Sequence, residues 1–402
     1  MNVSGFRDVS QAGDHADILI VGGGGVGCAI AYFLTQMAGS SLRVVVCERD
    51  PSYERAATMA AAGGIRQHFS TPENVLMSQF GFEFIGAAHE TLAVNGLAPD
   101  MSLRDHPYLR LEKESDAHEV LAQVEMQRSL GATPTVLNRE QLTDLFPWMN
   151  VEDIGLGVLG GAYEGTFDPQ ALLHALRRKA ASLGVIFIAA NVAGIRRSEG
   201  GEVEGVVLAD GRTIHAGLVV NAAGARAGAV AAMAGLHLPV GPLKAHTFAF
   251  LAAEPVADCP IVLDHVAELN FKPEGAMYLA AAPRESVLHG DDDYDIDPDL
   301  FMDHVWPALA HRVPQFERIK LQRGWVGHIE WNAFDANPVL GPHPECANFV
   351  FANGLSGHGV QHLVAIGRAV AELLTYGGYR SLDLSRFAYA RIAANAPIRE
   401  LV

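Results

Sequence analysis

Cysteine and charged side chains are both scarce in this sequence. Its 402 residues contain four cysteines, and no two of them form a CxxC pair. The scarcity indicates neither a disulfide scaffold nor a metal site, and it favours a reducing compartment, which predicts a cytoplasmic protein without a bound metal. Charged residues make up 19% of the chain and apolar residues 49%, a composition typical of a packed globular protein.

Basic residues and long apolar runs are lacking as well. The chain has 29 Lys and Arg residues against 46 Asp and Glu residues, a formal net charge of −17 at pH 7. Because this charge repels a phosphate backbone, we expect no nucleic-acid partner. The apolar stretch 17–34 is interrupted by four consecutive glycines, and residues 1–16 have no apolar core. We therefore expect a polar leader over residues 1–16 and no membrane span.

A glycine motif stands between the first predicted strand and the first predicted helix. Gly22, Gly24 and Gly27 form G-x-G-x-x-G after the aliphatic run at 18–21, and Glu48 ends the next strand. In a βαβ unit this spacing predicts a dinucleotide site, where the glycines admit a tight turn and a pyrophosphate and the acid binds the ribose. The residues predicted to bind the cofactor here are Gly22, Gly24, Gly25, Val26, Gly27, Glu48 and Arg49. This unit alone does not separate FAD from NAD.

Two further strand-to-loop segments distinguish between these cofactors. They are Leu218–Gly224, which reads LVVNAAG, and Asn353–Gly359, which reads NGLSGHG before a predicted helix. Together with the first motif they resemble the D-amino-acid-oxidase superfamily of flavoenzymes over nearly the whole chain. The resemblance implies FAD as the cofactor. It adds as candidate binding residues Ala62, Gly63, Gly64, Ala223, Gly224, Gly354, Ser356, Gly357, His358, Gly359 and Val360.

Two further stretches of sequence indicate which reaction to expect within this superfamily. Residues 61–69 and 334–344 are similar to the branch of the superfamily that contains sarcosine oxidase and dimethylglycine dehydrogenase. This similarity implies oxidation of a small carboxylated amine or amino acid, with hydride passing to flavin N5, an imine as product, and oxygen or another electron acceptor as partner. The helix after Gly359 is expected to point its N-terminus at the reduced flavin and to stabilise its negative charge.

The same resemblance supplies four candidate catalytic residues. Arg66 matches a loop position from which a guanidinium holds a substrate carboxylate. His358 either contacts the flavin or braces the glycine loop. A lysine linked to oxygen reaction in sarcosine oxidase pairs roughly with Tyr278, with Lys272 close by. His246 and His358 are candidate bases for a rival reaction, the oxidation of a 2-hydroxy acid.

Covalent attachment of the flavin is not expected. Relatives that bond the flavin do so through a histidine or a cysteine, and the matching positions here hold Ala60 and, nearby, His328. Gln361 stands where sarcosine oxidase has a carboxylate-binding lysine, so the substrate need not be sarcosine.

An alternative function of another class is that of an assembly or chaperone protein in which FAD has only a structural role.

These patterns predict an α/β protein, α+β overall. A doubly wound, Rossmann-like FAD-binding domain is expected to carry an antiparallel-sheet substrate domain, with the active site between them. The predicted FAD-binding segments are 17–85, 150–240 and 322–402. The predicted substrate-domain segments are 86–149 and 241–321.

Overall fold

A computed structural model describes residues 5–11, 13–281, 290, 292–297 and 299–400. The helices of these ranges are α1 Gly25–Ala38, α2 Ala57–Ala60, α3 Pro72–Gly86, α4 Ala88–Thr91, α5 Ala117–Ser129, α6 Arg139–Leu145, α7 Pro169–Ser182, α8 Ala227–Met233, α9 Trp306–Arg312, α10 Gly359–Tyr376 and α11 Ala390–Ala393. The strands are β1 His15–Val21, β2 Val44–Glu48, β3 Gly64–Ile65, β4 Arg104–Asp105, β5 Tyr108–Glu112, β6 Thr135–Leu137, β7 Leu156–Leu159, β8 Gly165–Thr166, β9 Ile186–Ala189, β10 Val192–Arg197, β11 Val203–Leu208, β12 Thr213–Asn221, β13 Val240–Ala252, β14 Ile261–Asp264, β15 Leu269–Glu274, β16 Met277–Ala281, β17 Ile319–Asn332, β18 Val339–His343 and β19 Cys346–Asn353.

The predicted βαβ unit is β1, α1 and β2. Strands β1 and β2 run parallel, with Ile18 opposite Val44 and Ile20 opposite Val46. Since successive side chains of a strand point to opposite faces, the continuous aliphatic run of β1 is buried on both faces of its sheet. Gly22 turns the chain out of β1 with a φ of 101°, a conformation that favours glycine.

Strand β1 lies at the centre of the first sheet. It pairs in parallel with β2 on one side and with β12 on the other, and β9 extends the sheet beyond β2. The end of β12 also pairs in parallel with β19, while its beginning pairs with the antiparallel hairpin β10–β11. The carboxyl ends of the parallel strands therefore meet at one edge, where such sheets bind ligands.

Helices cover both faces of this sheet. Ile18 and Ile20 pack into a core with α1, α3, α7 and α10, whereas Leu19 and Val21 pack into a second core with α8 and the β10–β11 hairpin. This arrangement confirms the predicted doubly wound, Rossmann-like fold.

The second large sheet has the strand order β17-β13-β16-β15-β14-β5-β7-β6. Its neighbouring strands are antiparallel, except that β14 and β5 run parallel. One face packs against α6 and α9 in a core of its own. The predicted antiparallel sheet is confirmed. A small third sheet has the strand order β3-β8-β4.

The predicted division into segments stays a prediction, but two strands join a sheet outside their predicted segment. Strand β7, in segment 150–240, pairs with β5 and β6 of the second sheet. Strand β17 crosses the predicted boundary at 321 and pairs with β13 along its length. Local sequence patterns do not reveal such partners, because pairing is set by distant segments. Parts of the predicted segments 1–16, 241–321 and 322–402 lie outside the described residues.

Candidate active site

The glycine turn after β1 forms one wall of a groove. A Cβ atom at Gly22 would overlap the carbonyl oxygen of Ala222, and one at Gly27 would overlap the carbonyl oxygen of Gly22. A Cβ atom at Gly24 would meet nothing within 4 Å. Gly22 and Gly27 are thus required by the packing of the protein itself, whereas Gly24 leaves open space for a phosphate group at the start of α1.

Glu48 ends β2 beside this turn. Its Oε2 atom accepts a hydrogen bond from the peptide N–H of Gly23, and its Oε1 atom accepts one from the peptide N–H of Asp50, both at 2.8 Å. Burial raises the pKa of the carboxyl, although the two peptide donors oppose this effect. The carboxylate is held at the position from which this fold binds a ribose.

Two adjoining cavities continue the groove from the turn into the space between the two large sheets. The first, of about 140 Å³, lies at the glycine turn and Glu48, and we call it the nucleotide cavity. The second, of about 290 Å³, lies between the sheets, and we call it the ring cavity. Both are lined by Val26, Ala57, Thr58, His328 and Glu330. The continuous groove suits a dinucleotide whose second half is a ring system.

Most of the predicted cofactor-binding residues line this groove. Those in the nucleotide cavity are Gly22, Gly24, Gly25, Val26, Glu48, Arg49, Ala223 and Gly224. Those in the ring cavity are Val26, Ala62, Gly63, Gly64, Gly357, Gly359 and Val360. Gly27, Gly354, Ser356 and His358 line neither cavity. Ser356 instead shapes the loop, because its hydroxyl donates to the carbonyl oxygen of Gly354 and accepts from the peptide N–H of Asn332.

Arg66 lines the ring cavity on the loop after β3. Burial lowers the pKa of its guanidinium, which nevertheless stays protonated. Its Nε atom is enclosed and has no hydrogen-bond partner among the described residues. The nearby carboxylates are engaged elsewhere: Glu164 accepts from the peptide N–H groups of Gln67 and Tyr108, and Glu400 accepts from the peptide N–H groups that precede α3. Within the described ranges, no carboxylate forms an ion pair with Arg66.

Tyr108 and Lys272 also reach the ring cavity. The Tyr108 hydroxyl occupies the place that a side chain at Gly64 would take, and the Arg66 guanidinium lies 6.0 Å from the Tyr108 ring centre. Burial raises the pKa of Tyr108 to about 12, so the phenol remains a hydrogen-bond donor. The Lys272 ammonium donates to the carbonyl oxygen of Ala62 at 2.6 Å and pairs with Glu274 at 2.7 Å.

This geometry agrees with a comparison of the sequence with protein families. The model of the family described as FAD dependent oxidoreductase, or DAO, matches residues 17–373. The chain belongs to the DAO family. The predicted superfamily and its cofactor, FAD, are thereby confirmed.

Individual relatives cover nearly all of the chain. FAD-dependent oxidoreductase domain-containing protein 1 of Xenopus laevis is 38% identical over 96% of this chain and 84% of its own length. Glycine oxidase from Geobacillus kaustophilus has a solved structure with a TM-score of 0.77 and 26% identity, covering 93% of this chain and 98% of that chain. L-proline dehydrogenase from P. horikoshii has a TM-score of 0.80 and 23% identity, covering 95% and 98%, which shows a shared fold.

Different residues would hold the two halves of FAD. The glycine turn and Glu48 would hold its adenosine diphosphate half, and the loops around Gly64 and Gly357 would enclose its ring. The first turn of α10 lines the ring cavity and offers the partial positive charge of a helix N-terminus there. All four cysteines are buried and line neither cavity, and His328 hydrogen-bonds the carbonyl oxygen of Asp293 at 2.6 Å. These contacts agree with the expected noncovalent binding of FAD.

Three predicted catalytic residues do not reach the ring cavity. Tyr278 is 4% exposed and packs in the core of the second sheet, where it hydrogen-bonds the backbone of Val256. His246 stacks beside Phe248 on the face of β13 opposite the cavity-lining Ala245 and Thr247. His358 lies edge-on to Phe69, with ring centres 5.1 Å apart. Of the four predicted residues, the structure brings only Arg66 to the cavity.

The sequence reasoning missed Tyr108 and Glu330, and it named Lys272 only as a neighbour of Tyr278. Tyr108 carried a weak signal, since it begins strand β5 just after Pro107. Glu330 carried no such signal, because a single acidic residue within a long strand resembles any solvated residue.

In the described ranges, no helix is long and apolar enough to cross a membrane, and no three His, Cys, Asp or Glu residues are grouped to hold a metal.

Proposed function

We propose that this chain uses FAD to oxidise a small amino acid or similar carboxylated amine at the carbon next to the nitrogen, giving an imine. The observation that carries the proposal is Arg66, a guanidinium that lines the ring cavity without a carboxylate partner among the described residues. Arg66 is half-buried and has no direct ion pair among the described residues, so a substrate carboxylate would supply a direct counter-ion for its guanidinium.

A carboxylate in the cavity would meet two donors. Arg66 can bind it with two parallel N–H groups, and the Tyr108 hydroxyl can add a third hydrogen bond. The backbone of Arg66 is fixed on both sides, because its peptide N–H donates to the Gln361 side chain at 2.8 Å and its carbonyl accepts from the Ser78 hydroxyl at 2.7 Å. A rigid loop of this kind orients the substrate carbon relative to the ring.

Much of the rest of the ring cavity is apolar. Its apolar lining comes from the second sheet and from α10, and includes Ile261, Leu263, Phe271, Leu279, Ala280 and Leu363. Such a lining favours the neutral amine, which is the form that can lose a hydride, over the ammonium form. When bound, FAD supplies the hydride acceptor at its N5 atom. Glycine oxidase, a relative of similar length, supports an amino acid as the substrate.

The ring cavity fits a 2-hydroxy acid less well. Oxidation of a hydroxyl group needs a base for its proton. The two candidates for that base, His246 and His358, line neither cavity, and among the described residues His328 is the histidine that does. Its Nε2 atom is engaged by the carbonyl oxygen of Asp293.

The alternative function, an assembly protein in which FAD has only a structural role, predicts instead that no small substrate reduces the flavin.

An anaerobic absorbance screen of the purified holoprotein separates these functions. Glycine, N-methylglycine, L- and D-proline and other amino acids are each compared with the 2-hydroxy acid of the same carbon skeleton. Bleaching of the flavin band by an amine and not by its hydroxy acid is the expected result, and admission of air then shows whether oxygen is the acceptor. Bleaching by hydroxy acids alone, or by no compound, overturns the proposal.

A further inference from the structure

Glu330 stands at the junction of the two cavities. It lies on β17, lines both the nucleotide cavity and the ring cavity, and is the one carboxyl side chain among the described residues that line the ring cavity. The motifs that identify the family do not include it. A carboxyl group in this position borders the groove that an anionic dinucleotide occupies.

The Glu330 carboxyl has a single protein donor in the described part of the chain. Its Oε2 atom accepts a hydrogen bond from the peptide N–H of Gly354 at 3.1 Å. No Lys, Arg or His among the described residues forms an ion pair with it. Burial raises the pKa of Glu330 to about 8, and the Gly354 donor offsets only part of this effect.

The cations on the elements around Glu330 have other partners. On β17 itself, His328 bonds the carbonyl oxygen of Asp293 and stacks on Tyr294, with ring centres 4.0 Å apart. On β13, Lys244 pairs with Asp293 and donates to the carbonyl oxygen of Asp295.

Two further charged or titratable groups lie on neighbouring segments. Arg226, on the short helical turn after β12, reaches Asn191 at 3.5 Å. On the loop before α10, the His358 ring packs on Phe69. None of these groups forms an ion pair with Glu330, so none offsets the cost of a negative charge there.

We propose that Glu330 is held as a neutral carboxylic acid that donates its proton in a hydrogen bond to FAD, so that FAD binds to the protonated form of this chain. The neutral form accepts from Gly354 through one oxygen and donates through the other, whereas the ionised form would only accept and would repel the cofactor phosphates. The proposal rests on FAD binding and not on the substrate class.

The direction of the pH effect follows from this assignment. FAD binds the protonated form, so its binding is strongest below the pKa of Glu330 in the free protein and weakens as pH rises through it. With that pKa at about 8, the protonated fraction falls about tenfold between pH 7 and pH 9. The dissociation constant of FAD is therefore expected to rise about tenfold over the same interval.

The test is equilibrium release of FAD from diluted holoprotein, followed by the fluorescence of the freed flavin at pH 7 and pH 9. The wild type is compared with Glu330→Gln, which keeps a donor and an acceptor but cannot ionise, and with Glu317→Gln, an exposed control. We expect a rise of about tenfold in the wild type and in the control, and none in Glu330→Gln. Equal pH dependence in all three proteins contradicts the proposal.

A second measurement needs no variant. Release of FAD from the wild type in weak buffer at pH 8, with a pH-indicator dye, should free about half a proton per flavin, because the free carboxyl is then half ionised. Release without any proton would overturn the assignment even if Glu330→Gln failed to fold.

Discussion

The Gln361 side-chain oxygen accepts a hydrogen bond from the peptide N–H of Arg66 at 2.8 Å. This bond joins the first turn of α10, which lines the ring cavity, to the loop that carries the unpaired guanidinium. The Ser78 hydroxyl on α3 bridges the same two residues, since it donates to the Arg66 carbonyl at 2.7 Å and lies 3.2 Å from the Gln361 oxygen. Two helices thus fix the position of Arg66.

Replacing Gln361 should therefore loosen the substrate site without emptying the cofactor site. We expect Gln361→Leu to raise KM for a carboxylated amine about five- to tenfold, the equivalent of ~1 kcal/mol for a lost hydrogen bond, with a smaller change in kcat. The bound flavin should remain at wild-type stoichiometry. Steady-state kinetics check this, with Gln322→Leu on the exposed part of β17 as the control. An unchanged KM would show that Gln361 does not position Arg66.

Replacing Arg66 should lower the activity towards the substrate without changing the binding of FAD. We expect Arg66→Met to lower kcat/KM for a carboxylated amine by at least about thirtyfold, or ~2 kcal/mol, because a buried carboxylate would lose its cation. The flavin content should stay the same. The exposed Arg318→Met serves as the control for loss of one positive charge. Equal kcat/KM values for Arg66→Met and the wild type would contradict the assignment of Arg66 as the residue that binds the substrate carboxylate.

Substitutions at two glycines of the first motif should distinguish an effect on folding from an effect on cofactor binding. Gly24→Ala adds a Cβ that meets no protein atom, so the protein should keep its apo melting temperature and lose FAD affinity. Gly27→Ala forces a Cβ onto the carbonyl oxygen of Gly22, so it should lower stability by about 1–3 kcal/mol as well. Thermal unfolding with and without FAD measures both effects. Identical behaviour of the two variants would contradict this division of roles.

Replacing Glu48 should mainly weaken the binding of the cofactor. Its carboxylate accepts from two peptide N–H groups and lines the nucleotide cavity, so Glu48→Ala removes a charged acceptor from both the turn and the ribose site. We expect the dissociation constant of FAD to rise at least about tenfold, as for loss of a hydrogen bond to a charged group. Flavin titration checks this, with the exposed Glu54→Ala as the control. Unchanged affinity would mean that another residue binds the ribose.

The nucleotide half of the site could be predicted because its residues lie close together in the chain. Gly22, Gly24 and Gly27 surround one turn, and Glu48 ends the neighbouring strand, so a local pattern contains the whole arrangement. The same holds for the glycine loop before α10. Arg66 was found through family resemblance, since nothing local distinguishes it from a surface arginine.

The ring half could not be predicted because it depends on which face of a strand a residue occupies. Lys272 pairs across the sheet with Leu279, and both line the ring cavity, whereas Tyr278 pairs with Pro273 and points into the core. A shift of one residue reverses the face, so an approximate alignment selects the wrong side chain. His246 likewise lies on the other face of its strand, because its neighbour Ala245 is the residue that faces the cavity.

The most direct test of the account is the anaerobic rate of flavin reduction by an amino acid compared with its carboxamide, measured by rapid mixing for the wild type and Arg66→Met. The account predicts fast bleaching by the amino acid, a rate at least about thirtyfold lower for the carboxamide, and little difference between the two compounds in Arg66→Met. Equal reduction of the wild type by both compounds, or no reduction by either, would contradict it.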